Sequence, residues 1–135
     1  MLFDLMPVLP EVLGFSNRWY PYAVETAVSV DLGNGITIRL VSAEAFVATK
    51  LEAFSSRGGG DFLTSHDLED VLNIVDGREE LAEEMAAAPA ELREAVAAAF
   101  GPLLKNQDFA NVLPGLLAEP ERAGLVMERL KALSQ

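Results

Sequence analysis

Residues 40–78 read LVSAEAFVATKLEAFSSRGGGDFLTSHDLEDVLNIVDGR, and the predicted fold is organised around them. Two runs of apolar residues in helical spacing flank a glycine-rich loop. Such spacing gives each helix one apolar stripe, so the two runs predict two helices that bury their stripes in a common core. The first helix is expected over residues 43–56. The second is expected to begin after a cap at Thr64 or Ser65 and to end at Asp76.

The same stretch holds the densest group of potentially functional side chains, which are Lys50, Arg57, Asp61, His66, Asp67 and Asp70. Lys50 and Arg57 are two helical turns apart and therefore point in similar directions. Asp67 and Asp70 are three residues apart, close enough to act together. These residues fit a substrate site, with cations for a phosphate or carboxylate and anions for orientation or metal. They also fit a salt-bridge network that clamps two helices, which residue types alone favour because ion-pair networks are common where charged helix faces meet.

Two further residues are candidates for chemistry. His66 stands in the first turn of its helix, where the helix dipole favours the neutral ring. It is a candidate general base, although a lone histidine at a helix start is more often a surface residue. Asp4 lies inside the apolar run at residues 2–6, where a carboxylate is costly unless it has a partner or a metal ion.

The rest of the chain predicts a small sheet followed by helices. Residues 27–41 predict a β-hairpin, because apolar residues alternate on both sides of an Asn-Gly turn. Residues 2–6 predict a further strand that Pro7 ends. Further helices are expected over residues 79–87, 89–100, 102–112 and 120–133. The expected fold is therefore α+β, in one domain over residues 1–135: an N-terminal strand and a hairpin within residues 1–41, then a bundle of about six helices within residues 42–135.

Composition excludes several kinds of protein. The chain has no cysteine and one histidine, which excludes disulfides, thiolate catalysis and a multi-histidine metal site within one chain. A net charge of −11 disfavours a broad nucleic-acid surface. The sequence has neither an apolar run long enough to span a membrane nor a signal-peptide pattern, so no membrane contact and a cytoplasmic location are expected.

Residues 46–78 carry a family resemblance. They resemble the C-terminal half of bacterial minimal nucleotidyltransferases of the polymerase-beta superfamily, and they are similar to its abortive-infection (AbiEii/AbiGii-like) toxin branch. The pattern of that branch is approximately A-T-K-L-x-A-x-x-x-R, a variable loop and K-D-x-x-D-[LIV]. The residues that match it are Lys50, Arg57, Asp67 and Asp70, and His66 stands where many members have lysine. The preceding FDLMP resembles the strand that carries the third metal-binding carboxylate in such enzymes, which here is Asp4.

The resemblance implies a toxin-type domain that transfers a nucleoside monophosphate from an NTP to an acceptor. It assigns catalytic roles to Asp4, Lys50, Asp67 and Asp70, substrate binding to Lys50, Arg57 and His66, and Mg²⁺ to Asp4. These enzymes also carry a Gly-Ser and an Asp-x-Asp pair, which hold the nucleotide phosphates and Mg²⁺. Residues 1–135 contain neither pair.

The absence of the Gly-Ser and Asp-x-Asp pairs leaves two expectations for function. In the first, the chain is a truncated or degenerate relative that is inactive alone, and Mg²⁺ binds only if another chain supplies the catalytic half. Its partners would be an NTP and a homodimer mate or an upstream or antitoxin chain. In the alternative, the chain is a non-catalytic interaction module, antitoxin-like or dimerising, because exposed sheet edges and apolar surface attract a partner.

Overall fold

A computed structural model describes residues 18–58 and 66–134, and the side chains of residues 56–58 lie outside that description. Several predicted features therefore also lie outside the described residues, and these are the strand at residues 2–6, Asp4, Asp61, the caps at Thr64 and Ser65, and the side chain of Arg57.

Within the described ranges the chain forms seven α-helices, one 3₁₀ helix and one β-hairpin. In chain order they are α1 (Tyr20–Thr26), β1 (Val28–Gly33), β2 (Ile36–Leu40), α2 (Ala43–Gly58), α3 (His66–Gly77), α4 (Leu81–Ala86), α5 (Ala90–Lys105), α6 (Gln107–Leu116), the 3₁₀ helix (Pro120–Arg122) and α7 (Ala123–Leu133). The hairpin is followed by six α-helices, which confirms the predicted α+β fold of a small sheet and a helical bundle.

The hairpin turn is formed by Asn34 and Gly35, whose φ angles are 54° and 74°. Two consecutive positive φ angles match the twist of antiparallel strands, and Asn and Gly are the residues that tolerate them. The register pairs Val28 with Leu40 and Val30 with Ile38, and one extra residue in β1 near the turn makes a bulge. Apolar side chains therefore face each other in pairs across one face of the hairpin.

The helix before the hairpin, α1, is longer than the sequence predicts. The sequence suggests a connection with about one helical turn over residues 10–22, whereas α1 continues to Thr26. Pro21 lies in the first turn of α1, where its missing N–H costs no hydrogen bond. Trp19 lies just before α1 and is buried in the core.

The core is built around α2 and α3, which pack against each other. Val47 and Leu51 of the predicted stripe are fully buried, whereas Phe54 is half-buried. The neighbouring Phe46 is buried instead, because α2 contacts α1, α3, α4 and α5 and so is covered on more than one side. The stripe of α3 is buried as predicted, and it comprises Leu68, Val71, Leu72 and Val75.

One predicted helix boundary was wrong. Pro102 was expected to separate two helices, but α5 continues through it to Lys105. Pro102 lies on the exposed side of the helix, and Ala98, whose carbonyl loses its usual donor there, is exposed too. Water can therefore replace the missing hydrogen bond. The break comes at Asn106, whose side-chain oxygen accepts hydrogen bonds from the N–H groups that begin α6.

The last helix, α7, closes the bundle against α3, α4 and α5. It buries Val126, Leu130 and Leu133, which are spaced as one helical face. Among residues 18–58 and 66–134, the structure has no helix with both the length and the apolar character needed to span a bilayer.

Candidate functional site

The contact between α2 and α3 brings together three residues that the sequence singled out. The Nζ atom of Lys50 lies 3.0 Å from a carboxylate oxygen of Asp70 and 3.6 Å from one of Asp67. Lys50 comes from α2, and both aspartates come from the first turns of α3. We call these three residues the lysine cluster.

The lysine cluster lies at the edge of the core. The Lys50 side chain is 20% exposed, and those of Asp67 and Asp70 are 11% and 42% exposed. The Lys50 ammonium also lies 5.5 Å from the centre of the Phe46 ring, within the range of a cation–π contact. One face of the cluster is therefore fixed by packing, and the face at Asp70 opens to solvent.

The electrostatics of the lysine cluster are mixed. Asp67 and Asp70 stand near the N-terminus of α3, where the helix dipole stabilises negative charge. With one cation and two anions, the cluster has a formal charge of −1. An anionic ligand would therefore have to displace a carboxylate from Lys50 rather than add to a free cation. Asp70 is the carboxylate with more access to water, so it is the one that can move away.

His66 does not face inward. Its side chain is 93% exposed, and Nδ1 lies 3.5 Å from a carboxylate oxygen of Glu69, one turn along the same helix. That position fits the surface interpretation of a lone histidine at a helix start.

The described residues do not fit a magnesium site by themselves. Over residues 18–58 and 66–134, the structure gathers no three His, Cys, Asp or Glu side chains in an arrangement that would hold a metal ion. Mg²⁺ requires near-octahedral oxygen coordination, and the carboxylates of Asp67 and Asp70 are already directed at Lys50.

Sequence reasoning missed a second charged group, at the C-terminus of α3. Arg129 donates hydrogen bonds to the backbone oxygens of Val75 and Asp76, at 2.9 and 2.6 Å. Arg122 donates to the Asp76 carboxylate through Nε and to the Asp76 backbone oxygen at 3.2 Å. The Asp76 carboxylate raises the pKa of the Arg122 guanidinium. We call Val75, Asp76, Arg122 and Arg129 the arginine cap.

The arginine cap satisfies carbonyl groups that a helix end leaves without intrahelical donors. Its arginines also place positive charge at the negative end of the helix dipole. The partners are 46 to 54 residues apart in the chain, so no local spacing could have revealed them.

A third charged contact joins the residue that follows α3 to α4. Arg78 donates two parallel hydrogen bonds to the Glu84 carboxylate, at 2.8 and 2.7 Å. In this pair the Glu84 side chain is only 28% exposed. The pair forms one wall of an open cavity of about 340 Å³ whose other walls include Val28, Leu40 and Val41.

At the start of α2, Tyr22 of α1 donates a hydrogen bond of 2.8 Å to the Glu44 carboxylate. Partial burial, and next the hydrogen bond to Glu44, raise the pKa of Tyr22 to about 12. The phenol therefore stays protonated and keeps this contact over the whole neutral range. The hydrogen bond between Tyr22 and Glu44 joins α1 to α2.

Comparisons of the chain with protein-family models, with curated proteins and with solved structures found no match. The resemblance of residues 46–78 to nucleotidyltransferases therefore stays a prediction from the sequence.

Proposed function

We propose that the chain is a nucleotidyltransferase-like domain of the toxin type that binds an NTP through Lys50 and is inactive alone. The observation that carries the proposal is the lysine cluster. Lys50, Asp67 and Asp70 are motif residues from two helices, and Lys50 lies within ion-pair distance of both aspartates. A motif whose members meet at one partly exposed place supports a shared role better than a motif scattered over the surface.

Lys50 would act as a point charge for the nucleotide phosphates. The exposed Asp70 would release it, and the more buried Asp67 would keep the ammonium in position. A phosphate of higher charge would replace one carboxylate as the ionic partner of Lys50, so the lysine would keep a partner. Binding is expected to be weak, because the departing carboxylate competes with the ligand.

Catalysis is not assigned to the described residues. Transfer needs metal ions that bridge the phosphates, and in the resembling enzymes these ions are held by the Asp-x-Asp pair and a third carboxylate. Residues 1–135 lack that pair. The complete reaction would therefore need a catalytic half from another polypeptide.

The test is a titration of the isotope-labelled chain with each NTP and Mg²⁺, followed by amide chemical shifts. Shifts are expected at Lys50 and Asp70, and Lys50→Ala should abolish them. Lys105→Ala, at the exposed end of α5, is the matched control and should leave the shifts unchanged. An absence of shifts at millimolar nucleotide would contradict the proposal.

The second candidate is a non-catalytic interaction module, favoured by the hairpin. Val28, Leu32 and Ile36 are 61%, 56% and 53% exposed, which is unusual for large apolar side chains on neighbouring strands. Sedimentation velocity over a wide range of concentrations tests whether a second copy covers this surface. A chain that stays monomeric at high concentration would exclude the dimerising form of this candidate.

A further inference from the structure

The hairpin turn contains a pair of residues that can react with each other. Asn34 is followed directly by Gly35, and both residues are exposed. A side chain on the second residue would shield its backbone nitrogen from the asparagine carboxamide, and glycine has none. Among residues 18–58 and 66–134, no atom beyond the chain neighbours of Gly35 lies within 4 Å of the place where a side chain would begin there. The space around this peptide group is therefore open.

The Asn34 carboxamide is not held by the fold. Within the described ranges, no hydrogen bond, ion pair or ring contact involves its side chain. The neighbouring polar contact leaves it out, because the N–H group of Gly33 donates a hydrogen bond of 2.8 Å to the Asp31 carboxylate. The carboxamide is therefore able to turn toward the backbone nitrogen of Gly35.

The hairpin that carries the turn can open without the helices. It is a sheet of two strands, which is marginally stable at best on its own. Val28, Leu32 and Ile36 are each more than half exposed, so little of the apolar surface of the hairpin is buried. Ring closure between an asparagine and the next residue requires a backbone conformation other than that of this turn. Local opening of a weakly buried hairpin supplies that conformation at low cost.

We propose that Asn34-Gly35 is a site of spontaneous deamidation. The backbone nitrogen of Gly35 attacks Cγ of Asn34, and the side-chain amino group leaves as ammonia with the proton of the attacking nitrogen. The product is a cyclic succinimide, which water opens at either of its carbonyl carbons. One opening gives aspartate, and the other gives isoaspartate, whose backbone runs through the former side chain. Water is the only co-reactant.

A second pair in the chain provides a contrast. Asp76-Gly77 is the other place in the sequence where Asn or Asp precedes glycine. The Asp76 carboxylate accepts a hydrogen bond from Arg122, and its backbone oxygen accepts one of 2.6 Å from Arg129. Ring closure at Asp76 would have to break these contacts and unwind the end of α3. The structure therefore assigns the reaction to the hairpin pair alone of the two.

The two products should affect the hairpin differently. Aspartate tolerates a positive φ angle much as asparagine does, so the aspartate product should keep the turn. Isoaspartate adds a carbon atom to the backbone, so the short turn no longer fits the register that pairs Gly33 with Ile36. Formation of isoaspartate would convert the chain irreversibly to a form with an open hairpin. The inference does not depend on nucleotide binding.

The first test is incubation of the intact chain at mildly alkaline pH, with peptide mapping by mass spectrometry at successive times. Digestion at acidic pH prevents further reaction during handling. Deamidation at Asn34 should be roughly tenfold or more faster than at Asn73 and Asn111, which lie in helices and precede branched residues. Methylation by an isoaspartyl methyltransferase identifies isoaspartate, which is expected at residue 34 and not at Asp76. An unchanged Asn34, or equal rates at the three asparagines, would overturn the inference.

The same incubation in urea separates the effect of the fold from that of the sequence. If the hairpin opens easily, the rate at Asn34 in the folded chain should lie within about tenfold of the rate in the unfolded chain. The rate at Asn73 should fall far more on folding, because α3 has to unwind first. Equal protection of Asn34 and Asn73 by the fold would contradict an easily opened hairpin.

The variant Asn34→Asp provides the matched reference for the products. It has the charge of the deamidated chain but an ordinary backbone, and its amide signals in β1 and β2 should indicate an intact hairpin. The isoaspartate fraction, separated by chromatography, should lose that pattern while the signals of α5 stay as in the parent chain. An isoaspartate fraction that keeps the hairpin signals of Asn34→Asp would overturn the predicted opening.

Discussion

The two ends of α3 carry opposite kinds of charged contact. At its N-terminus, Asp67 and Asp70 face one lysine from α2, and Asp70 remains 42% exposed. At its C-terminus, Arg122 and Arg129 hold the Asp76 carboxylate and backbone oxygens directly. The aspartates at the N-terminus and the arginines at the C-terminus both carry the charge that the helix dipole favours there, so the dipole does not distinguish the two ends. The difference lies in which groups would be left without partners if the cation were removed.

At the arginine cap, removal of the Arg129 guanidinium would take away the donor to the Val75 carbonyl and one of the two guanidinium donors to the Asp76 carbonyl. Those carbonyls cannot move away without unwinding the helix. At the lysine cluster, removal of the ammonium would leave carboxylates on flexible side chains, one of which can turn to water. The comparison therefore predicts a structural role for the arginine cap and an exchangeable partner for the lysine cluster.

The largest effect is expected for Arg129→Ala. It removes two hydrogen bonds to backbone oxygens, at 2.9 and 2.6 Å, and should lower the free energy of unfolding by about 2 kcal/mol. Urea unfolding followed by circular dichroism measures this loss. Lys131→Ala, two residues further along α7 and exposed, should stay within about 0.5 kcal/mol of the parent chain. Equal losses for the two variants would contradict the structural role of the cap.

A smaller, pH-dependent effect is expected for Tyr22→Phe. Loss of the hydrogen bond to Glu44 should cost about 1 kcal/mol at neutral pH. Because the pKa of Tyr22 is raised from 10.0 to about 12, the unfolded chain releases the phenol proton first. The stabilisation is therefore complete below pH 10 and is lost as the pH rises through about 12.

The measurement is the difference in unfolding free energy between the parent chain and Tyr22→Phe, taken at neutral pH and near pH 12. The difference should shrink at the higher pH, and a constant difference would show that the phenol proton is not involved. Glu44→Gln keeps an acceptor for the hydrogen bond but removes the negative charge. It should therefore reduce the pH dependence of the unfolding free energy more than it disturbs the packing of α1 on α2.

Lys50→Met should change stability less than Arg129→Ala does. The methionine keeps most of the packing over Phe46, and a partly exposed ion pair contributes only about 0–1 kcal/mol. Urea unfolding measures this change, and nucleotide titration of the same variant should show no response. A loss as large as that of Arg129→Ala would mean that the lysine cluster is a structural clamp, as the residue types alone also allow.

The sequence predicted those parts of the molecule that depend on local pattern. The turn at Asn34-Gly35 follows from the φ angles that only a few residues tolerate, and the buried face of α3 follows from helical spacing. The lysine cluster was predictable because Lys50, Asp67 and Asp70 lie on two consecutive helices. Their likeness to one family motif drew attention to them.

The arginine cap and the exposure of the hairpin could not be predicted in this way. The arginines lie in a later part of the chain, and nothing in their spacing shows that they return to α3. The alternation in β1 and β2 indicates one apolar face, but it does not say what covers that face. The prediction of a helix boundary at Pro102 was wrong. A proline on the exposed side of a helix removes one backbone hydrogen bond, and water can replace it there.

The smallest effect is expected for His66→Ala. The side chain is 93% exposed, and its contact with Glu69 lies on the surface of the same helix, so stability should change by no more than about 0.5 kcal/mol. The variant should also leave the nucleotide-induced shifts at Lys50 and Asp70 unchanged, because the imidazole points toward Glu69. If His66→Ala removed those shifts, the imidazole would have to turn inward on binding. The ligand site would then extend from the lysine cluster across the first turn of α3, and His66 would be part of it.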